Sequence, residues 1–194
     1  MKTFKIWLEE TSHKKKLYVL VGPPSIGKST WIQQTFGSEK PYIISRDDIV
    51  DQVAGSMGLT YDDMFSQTPE MKAANDIINS KLKNRIDTAS QQDRDIVVDM
   101  TNMSAFARKN ALQAGSDHEK IAVVFPFHGA ENIIKRVAAK RAAKIKANGG
   151  SKTIPDAAFD RMFSNYQEIS PDEGFDRVIH RDNREMLRKL VEED

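Results

Sequence analysis

Cysteine is absent from the 194 residues, which excludes disulfides, thiolate metal sites and a cysteine nucleophile. Long apolar runs are missing too, and none approaches the ~20 residues that cross a bilayer. The opening MKTFKIWLEE carries Glu9 and Glu10 and lacks an apolar stretch ending in a small-residue cleavage site, so it does not read as a secretory signal. Excess charge of either sign is lacking as well: the net value is +1, which excludes binding of nucleic acid by bulk charge alone. These absences point to a soluble, cytoplasmic enzyme or binding protein with no membrane partner. The length suffices for one domain with a buried core and is too short for two full-sized ones.

What charge there is lies unevenly. His13–Lys16 is a short basic run, Lys135–Lys146 a longer one, and Asp47-Asp48 and Asp62-Asp63 are acidic pairs. A like-charged run is by default a solvated face, and that reading suffices for His13–Lys16.

Strand-like and helix-like segments alternate, which predicts an α/β fold with a mostly parallel sheet of about five strands and helices on both faces, a three-layer sandwich. Strands are expected at Leu17–Val21, Pro41–Ser45, Ile96–Asp99, Ile121–Phe127 and Phe175–His180. Helices are expected at Lys28–Phe36, from Arg46 to Gly55 or Gly58, at Pro69–Ser90 with an apolar period at Met71, Ala74, Ile78, Leu82 and Ile86, at Ser104–Ala114, at Glu131–Lys146, from Pro155 to Ile169, and at Asn183–Val191. Lys2–Glu10 reads as a short leading helix. With no internal repeat or low-complexity linker, the reading is an N-terminal extension, 1–16, and a single domain, 17–194, with a helical lid around 131–154.

The most specific feature is Gly22-Pro23-Pro24-Ser25-Ile26-Gly27-Lys28-Ser29, which fits G-x-x-x-x-G-K-[ST] at every fixed position. A buried strand enters it and a helix leaves it. In that context backbone N–H groups turn inward toward phosphate oxygens, and the helix N-terminus adds its positive dipole end. Lys28 is placed to reach the β- and γ-phosphates of ATP, and Ser29, followed by Thr30, to hold Mg²⁺. A chance glycine-rich turn would not need both the strand and the helix. The motif is silent on the phosphoryl acceptor.

Ligands of open α/β sheets sit outside the C-terminal strand ends, where Ser45-Arg46-Asp47-Asp48 and Asp99-Met100-Thr101-Asn102 fall. A carboxylate there can take the proton of an attacking hydroxyl. Equally, Ser45 or Asp47 can serve only as a helix cap, and Asp99 can orient metal-bound water or cap the helix beginning near Ser104. Arg136, Lys140 and Lys144 share one helix face, with Arg141 beside them. Before Asn148-Gly149-Gly150, this segment reads either as a closing lid that brings cations to a phosphoryl group, or as a solvated helix whose charge suits its C-terminal dipole.

From Leu17 to His180 the chain resembles the kinase domain of polynucleotide 5′-hydroxyl kinases of phage and animal types. The phosphate loop running into Ser29-Thr30-Trp31 and the triplet Arg46-Asp47-Asp48 resemble the phage type. Asp99-x-Thr101-Asn102 with Arg108, Ile154-Pro155, Pro171 and Glu173-Gly174-Phe175 resemble the animal type. The resemblance implies transfer of the ATP γ-phosphate to the 5′-hydroxyl of DNA or RNA. It assigns catalysis to Lys28, Asp47 as general base, Arg136 and Arg141, with Lys140 or Arg141 as the second lid cation. It places ATP on residues 22–30 and the lid cations, magnesium on Ser29 and Asp99, and substrate on Arg46, Asp47, Asp99, Thr101, Asn102 and Arg108. Two departures stand out: Val50 occupies the place of a phage-type arginine that engages nucleic-acid phosphate, and no D-x-D-G-T phosphatase element is present. A kinase of a small-molecule hydroxyl and a non-kinase ATP-dependent switch are the alternative expectations. Tyr61, Phe65, Phe159 and Tyr166 are aromatics without an assigned role, and Leu59–Gln67 has no counterpart.

Overall fold

The strands are short and rich in Val, Ile and Leu because both faces of a parallel sheet are covered. In the computed structural model, which describes residues 14–66, 68–183, 185, 187 and 188, β1 (Lys16–Val21), β2 (Tyr42–Ser45), β3 (Ile96–Asp99), β4 (Glu119–Val124) and β5 (Arg177–His180) form one sheet in the order β2-β3-β1-β4-β5. Every pairing is parallel. The helices are α1 (Lys28–Phe36), α2 (Arg46–Met57), α3 (Pro69–Ala89), α4 (Ala105–Ala111), α5 (Glu131–Ala147) and α6 (Asp156–Ser164), with 3₁₀ turns at Asp62–Phe65, Leu112–Ala114 and Pro171–Glu173. No helix among the described residues is long and apolar enough to cross a membrane.

The period-two alternation of β1 divides the core. Tyr18 and Leu20 face a cluster with Trp31 and Phe36 of α1, Ile134 and Val137 of α5, and Phe159 of α6. Leu17, Val19 and Val21 face the other side, against Ile86 and Ala89 of α3 and Ala111 beside them. This is the expected three-layer arrangement. A third cluster joins Ile49, Val50 and Val53 of α2 to Met71, Ala74 and Ile78 of α3 through Met64. Met64, 1% exposed, pins the 59–66 segment, so the stretch that matched nothing in sequence is a plug under the α2–α3 pair.

Local chemistry sets the helix starts. Ser45, Thr68 and Ser104 each accept a backbone N–H from three residues on, capping α2, α3 and α4. Helix α2 runs through Gly55 and stops at Gly58, which takes the left-handed conformation and donates to Ala54 and Gly55.

Some boundaries differ from expectation. β4 ends at Val124 rather than Phe127, since Pro126 cannot donate to a ladder. Helix α6 ends at Ser164, five residues short of Ile169, because Gln167 N–H donates to the Met103 carbonyl and its side-chain oxygen accepts from Ala105 N–H. These contacts pull the chain across to the start of α4. The expected helix at Lys2–Glu10 lies outside the described residues, as does most of Asn183–Val191. Within the latter, Glu185, Leu187 and Arg188 are helical, and Leu187 is fully buried.

Candidate active site

The loop between β1 and α1 follows the backbone path its residues dictate. Gly27 holds a φ of 99° at the head of α1, a conformation that side chains avoid. A Cβ on Gly22 would lie 3.0 Å from Phe125 Cβ and 3.2 Å from its carbonyl, so only glycine lets the loop fold against the end of β4. Ser25 has a φ of 62°, local strain of the kind stored at ligand-binding turns. Ile26 is fully buried and anchors the loop from below, and its carbonyl accepts from the Asn183 side chain.

Lys28 folds back over the loop, its ammonium donating to the Gly22 and Pro23 carbonyls at 3.0 and 2.8 Å. Burial pushes its pKa down to about 8, while Asp99 and Asp47 hold it up and Arg141 opposes them. These three side chains, from β3, α2 and α5, therefore share one electrostatic neighbourhood with Lys28. Asp99 is shifted upward, first by burial and then by the fields of Asp47 and Asp48, with Lys28 and Lys152 working against the shift. Ser29 and Thr30 are exposed at the head of α1.

The caps remove two open readings. Ser45, not Asp47, accepts the α2 N–H, from Asp48 at 3.2 Å, and Ser104, not Asp99, caps α4. Both carboxylates are thus left beside the loop without a capping duty. Asp47 is exposed, and its oxygens meet Tyr61 Oη at 3.0 Å and Lys152 Nζ at 3.1 Å. Arg46 turns toward α3, donating to Asn75.

Arg141 extends the buried stripe of α5, four and seven residues beyond Val137 and Ile134. Arg136 is exposed and lies about 140° around the helix from Arg141 at ~100° per residue. Arg141, also exposed, is the α5 cation whose field is felt at Lys28. The partly buried Lys140 lies between them.

Other expected site residues sit beneath the surface. Thr101 offers its carbonyl to Gly22 N–H at 2.9 Å. Asn102, 1% exposed and with a φ of 44°, donates to the Leu20 carbonyl at 2.8 Å and so ties β3 to β1 just below the loop. Its amide oxygen has no partner among the described residues. Arg108 is fully buried, bidentate to Glu173 at 2.6 and 2.7 Å, and also donates to the Asn102 and Glu168 carbonyls. These hydrogen bonds hold Glu173 below the ordinary glutamate range, with burial acting against them. Asn102 and Arg108, expected to contact a substrate, are placed as scaffolding: both are buried, and four of the five guanidinium N–H donors of Arg108 are engaged within the fold.

Sequence reasoning missed Lys152, Asp51, Asp62 and Asn183, and left Tyr61 without a role. Their partners lie far away in the chain: Ser151 and Thr153 reach Asp62 across 89 and 91 residues. No local spacing signals such pairs.

The residues fit a bound nucleotide. The glycine-dependent cradle with the Lys28 amine beside it suits a polyphosphate. No group of three or more His, Cys, Asp or Glu among the described residues could hold a metal by itself. Magnesium is ordinarily held by one or two protein oxygens together with phosphates and water, a donor set that Ser29 and Asp99 can supply.

Residues 17–169 match the AAA domain family. The chain belongs to that family. Among solved structures, this AAA domain is similar to a candidate kinase from Chloroflexus aurantiacus, with a TM-score of 0.56 at 11% identity, covering 93% of this chain and 96% of that one. It is similar to a chain of the Pnkp1/Rnl/Hen1 RNA repair complex, with a TM-score of 0.55 at 20% identity, over 81% of this chain and 46% of that one. Kti12 from Chaetomium thermophilum, solved with ADP-AlF3, gives 0.52 at 12% identity, over 91% and 95%. At such identities the likeness is one of fold: the AAA domain has a P-loop NTPase-like α/β architecture.

Proposed function

We propose that this chain is an ATP-dependent kinase that transfers the γ-phosphoryl group to the 5′-hydroxyl of a DNA or RNA end. The observation that carries the kinase reading is the Lys28 ammonium folded over a glycine-dependent loop at the C-terminal edge of the sheet, within the fields of Asp99, Asp47 and Arg141 from three different elements. Asp47, relieved of capping by Ser45, is the general base and takes the acceptor hydroxyl proton. As the acceptor oxygen bonds to the γ-phosphorus, the bond to the β,γ-bridging oxygen breaks and ADP leaves. Lys28 and Arg141 face the charge that develops on the transferring group. Magnesium, when bound at Ser29 and Asp99, supplies further charge neutralisation.

The polynucleotide acceptor is supported by the Arg46-Asp47-Asp48 and Asp99-x-Thr101-Asn102 resemblance. A small-molecule acceptor is favoured by one feature. Val50, 1% exposed, packs in the α2–α3 core and places no cation beyond Asp47.

The test is incubation with γ-labelled ATP, Mg²⁺ and 5′-hydroxyl DNA and RNA oligonucleotides. Label should appear on an oligonucleotide, and Asp47→Asn should lower kcat by roughly 10²–10⁴ with ATP affinity retained. Absence of label from both strands would overturn the polynucleotide acceptor. Unchanged turnover in the variant would remove Asp47 as the base.

A further inference from the structure

The chain leaving α5 is returned to the site by a tight turn. Gly149 has a φ of 80°, and Gly150 donates its N–H to the Ile145 carbonyl at 3.0 Å. A Cβ on Gly150 would stand 2.8 Å from Ile145 Cγ2, so the turn closes flush on the helix end. The three residues that follow are gripped from below. Asp62, at the start of the 3₁₀ turn, accepts from Ser151 Oγ with one oxygen and from Thr153 N–H with the other, at 2.8 Å. Burial works to raise the Asp62 carboxyl, and the hydrogen bonds from Ser151 and Thr153 outweigh it, holding it below the usual carboxylate range.

Lys152 sits between those two anchors. Its ammonium lies 4.2 Å from the centre of the Tyr61 ring, 3.1 Å from Asp47 Oδ2 and 3.6 Å from Asp51 Oδ2. The Tyr61 hydroxyl donates to Asp47 Oδ1 at 3.0 Å. Phe65 backs the Tyr61 ring at 5.1 Å.

An exposed Lys–Asp pair by itself is worth little, since ordering two mobile side chains offsets the attraction. Here three features change that balance. The Lys152 side chain is only 27% exposed, an aromatic face lies under its charge, and its backbone is held on both sides. The pair also spares the carboxylate for chemistry. Each oxygen has two lone pairs and is engaged by one described donor, so a site remains for an acceptor hydroxyl.

We propose that Lys152 and Tyr61 are positioning residues that orient the Asp47 carboxylate, and that Asp62 couples the segment after α5 to that base. The inference rests on the kinase reading, but not on which hydroxyl accepts the phosphoryl group. Because α5 also carries Arg141, placement of Arg141 and orientation of Asp47 become one event: when 151–153 seats on Asp62, both are in place.

The test measures ADP formation by the full chain from ATP and Mg²⁺, with a 5′-hydroxyl oligonucleotide as acceptor and in parallel with water alone, and ATP affinity is measured separately. Lys152→Met should lower kcat at least tenfold with ATP affinity and acceptor KM within about twofold, and Lys152→Arg should recover most of the loss. Tyr61→Phe should lower kcat by a smaller factor. Asp62→Asn, which leaves both donors to Asp47 in the chain but loosens the segment, should fall between them. A Lys152→Met enzyme with unchanged kcat would overturn the proposal. A rise confined to acceptor KM would overturn it too, since Lys152 would then bind substrate rather than orient the base. If Lys152-dependent ADP forms while oligonucleotides stay unlabelled, the polynucleotide acceptor fails and the positioning role stands. If the unaltered protein forms no ADP with either the oligonucleotide or water, Asp47 activates neither acceptor and this role is overturned.

Discussion

Single residues in this site are defined by what their neighbours leave them to do. Asp47 and Ser45 have cap-forming chemistry within two residues of each other, and only the hydroxyl of Ser45 takes the cap. Lys28 holds the loop carbonyls with an ammonium whose pKa lies near 8 instead of the ordinary 10.5. The sign of its pH response follows. A polyphosphate favours the charged amine, so ATP binding raises this pKa and draws in a proton wherever the free protein has partly lost it. Titration calorimetry at pH 8 in buffers of different ionisation enthalpy should show uptake of about half a proton. ATP affinity should decline as pH rises above about 8, by up to roughly tenfold per unit. A pH-independent affinity between 7 and 9.5 would mean that Lys28 does not meet the phosphates.

At the scale of elements, the decisive pairings are long-range. Arg108 of α4 clamps Glu173 ahead of β5, and Asn102 ties β3 to β1. This polar layer lies under the phosphate loop and sets its height, since Gly22 hangs from the Thr101 carbonyl. Arg108→Ala strands a carboxylate whose side chain is 13% exposed, and such losses cost about 3–5 kcal/mol. Chemical denaturation should show a lower midpoint at unchanged slope. Arg108→Lys should recover little, because one ammonium cannot replace a bidentate fork. The Glu173 carboxyl lies lower when folded than its ordinary value of 4.5. Its contribution is therefore complete above that value and is lost as pH falls through the folded one. The stability gap between the parent and Arg108→Ala should narrow over that acidic window, and a gap that stays constant would mean that the pair is not the source.

For the whole molecule, the sheet order β2-β3-β1-β4-β5 puts β1 at the centre with β3 and β4 on either side, so the phosphate loop opens between the two strand ends that carry Asp99 and Phe125. The fold thus places Asp47, the loop and the basic helix α5 near one another in a chain with a net charge of only +1. Weak bulk charge makes acceptor binding diagnostic. A single-stranded end held through two to four phosphates should lose affinity with salt at a log–log slope of about −1.4 to −2.8. Equilibrium binding of a 5′-hydroxyl oligonucleotide across a salt series measures this slope. A value near zero would turn the assignment toward a small neutral acceptor.

Much of this was legible in sequence. The phosphate loop lies within eight consecutive residues, and its strand and helix follow from short-range patterning of apolar residues and caps. The same local physics placed α1, α3, β3 and the start of α2 within a residue of where they lie. Only the tertiary structure decided which acids lie near Lys28, which α5 cation shares that neighbourhood, and what holds the Asp47 carboxylate. Arg141 and Lys140 are adjacent in sequence, and the packing of Ile134 and Val137 fixes the helix rotation that puts Arg141 in the electrostatic neighbourhood of Lys28. Arg108 looks like any helix cation until Glu173, 65 residues on, closes around it. Lys152 meets Asp47 only because a glycine turn and the Asp62 carboxylate bring two distant segments together. Contacts of that kind depend on how the chain closes its long loops, a property of the assembled fold that no short stretch of residues encodes.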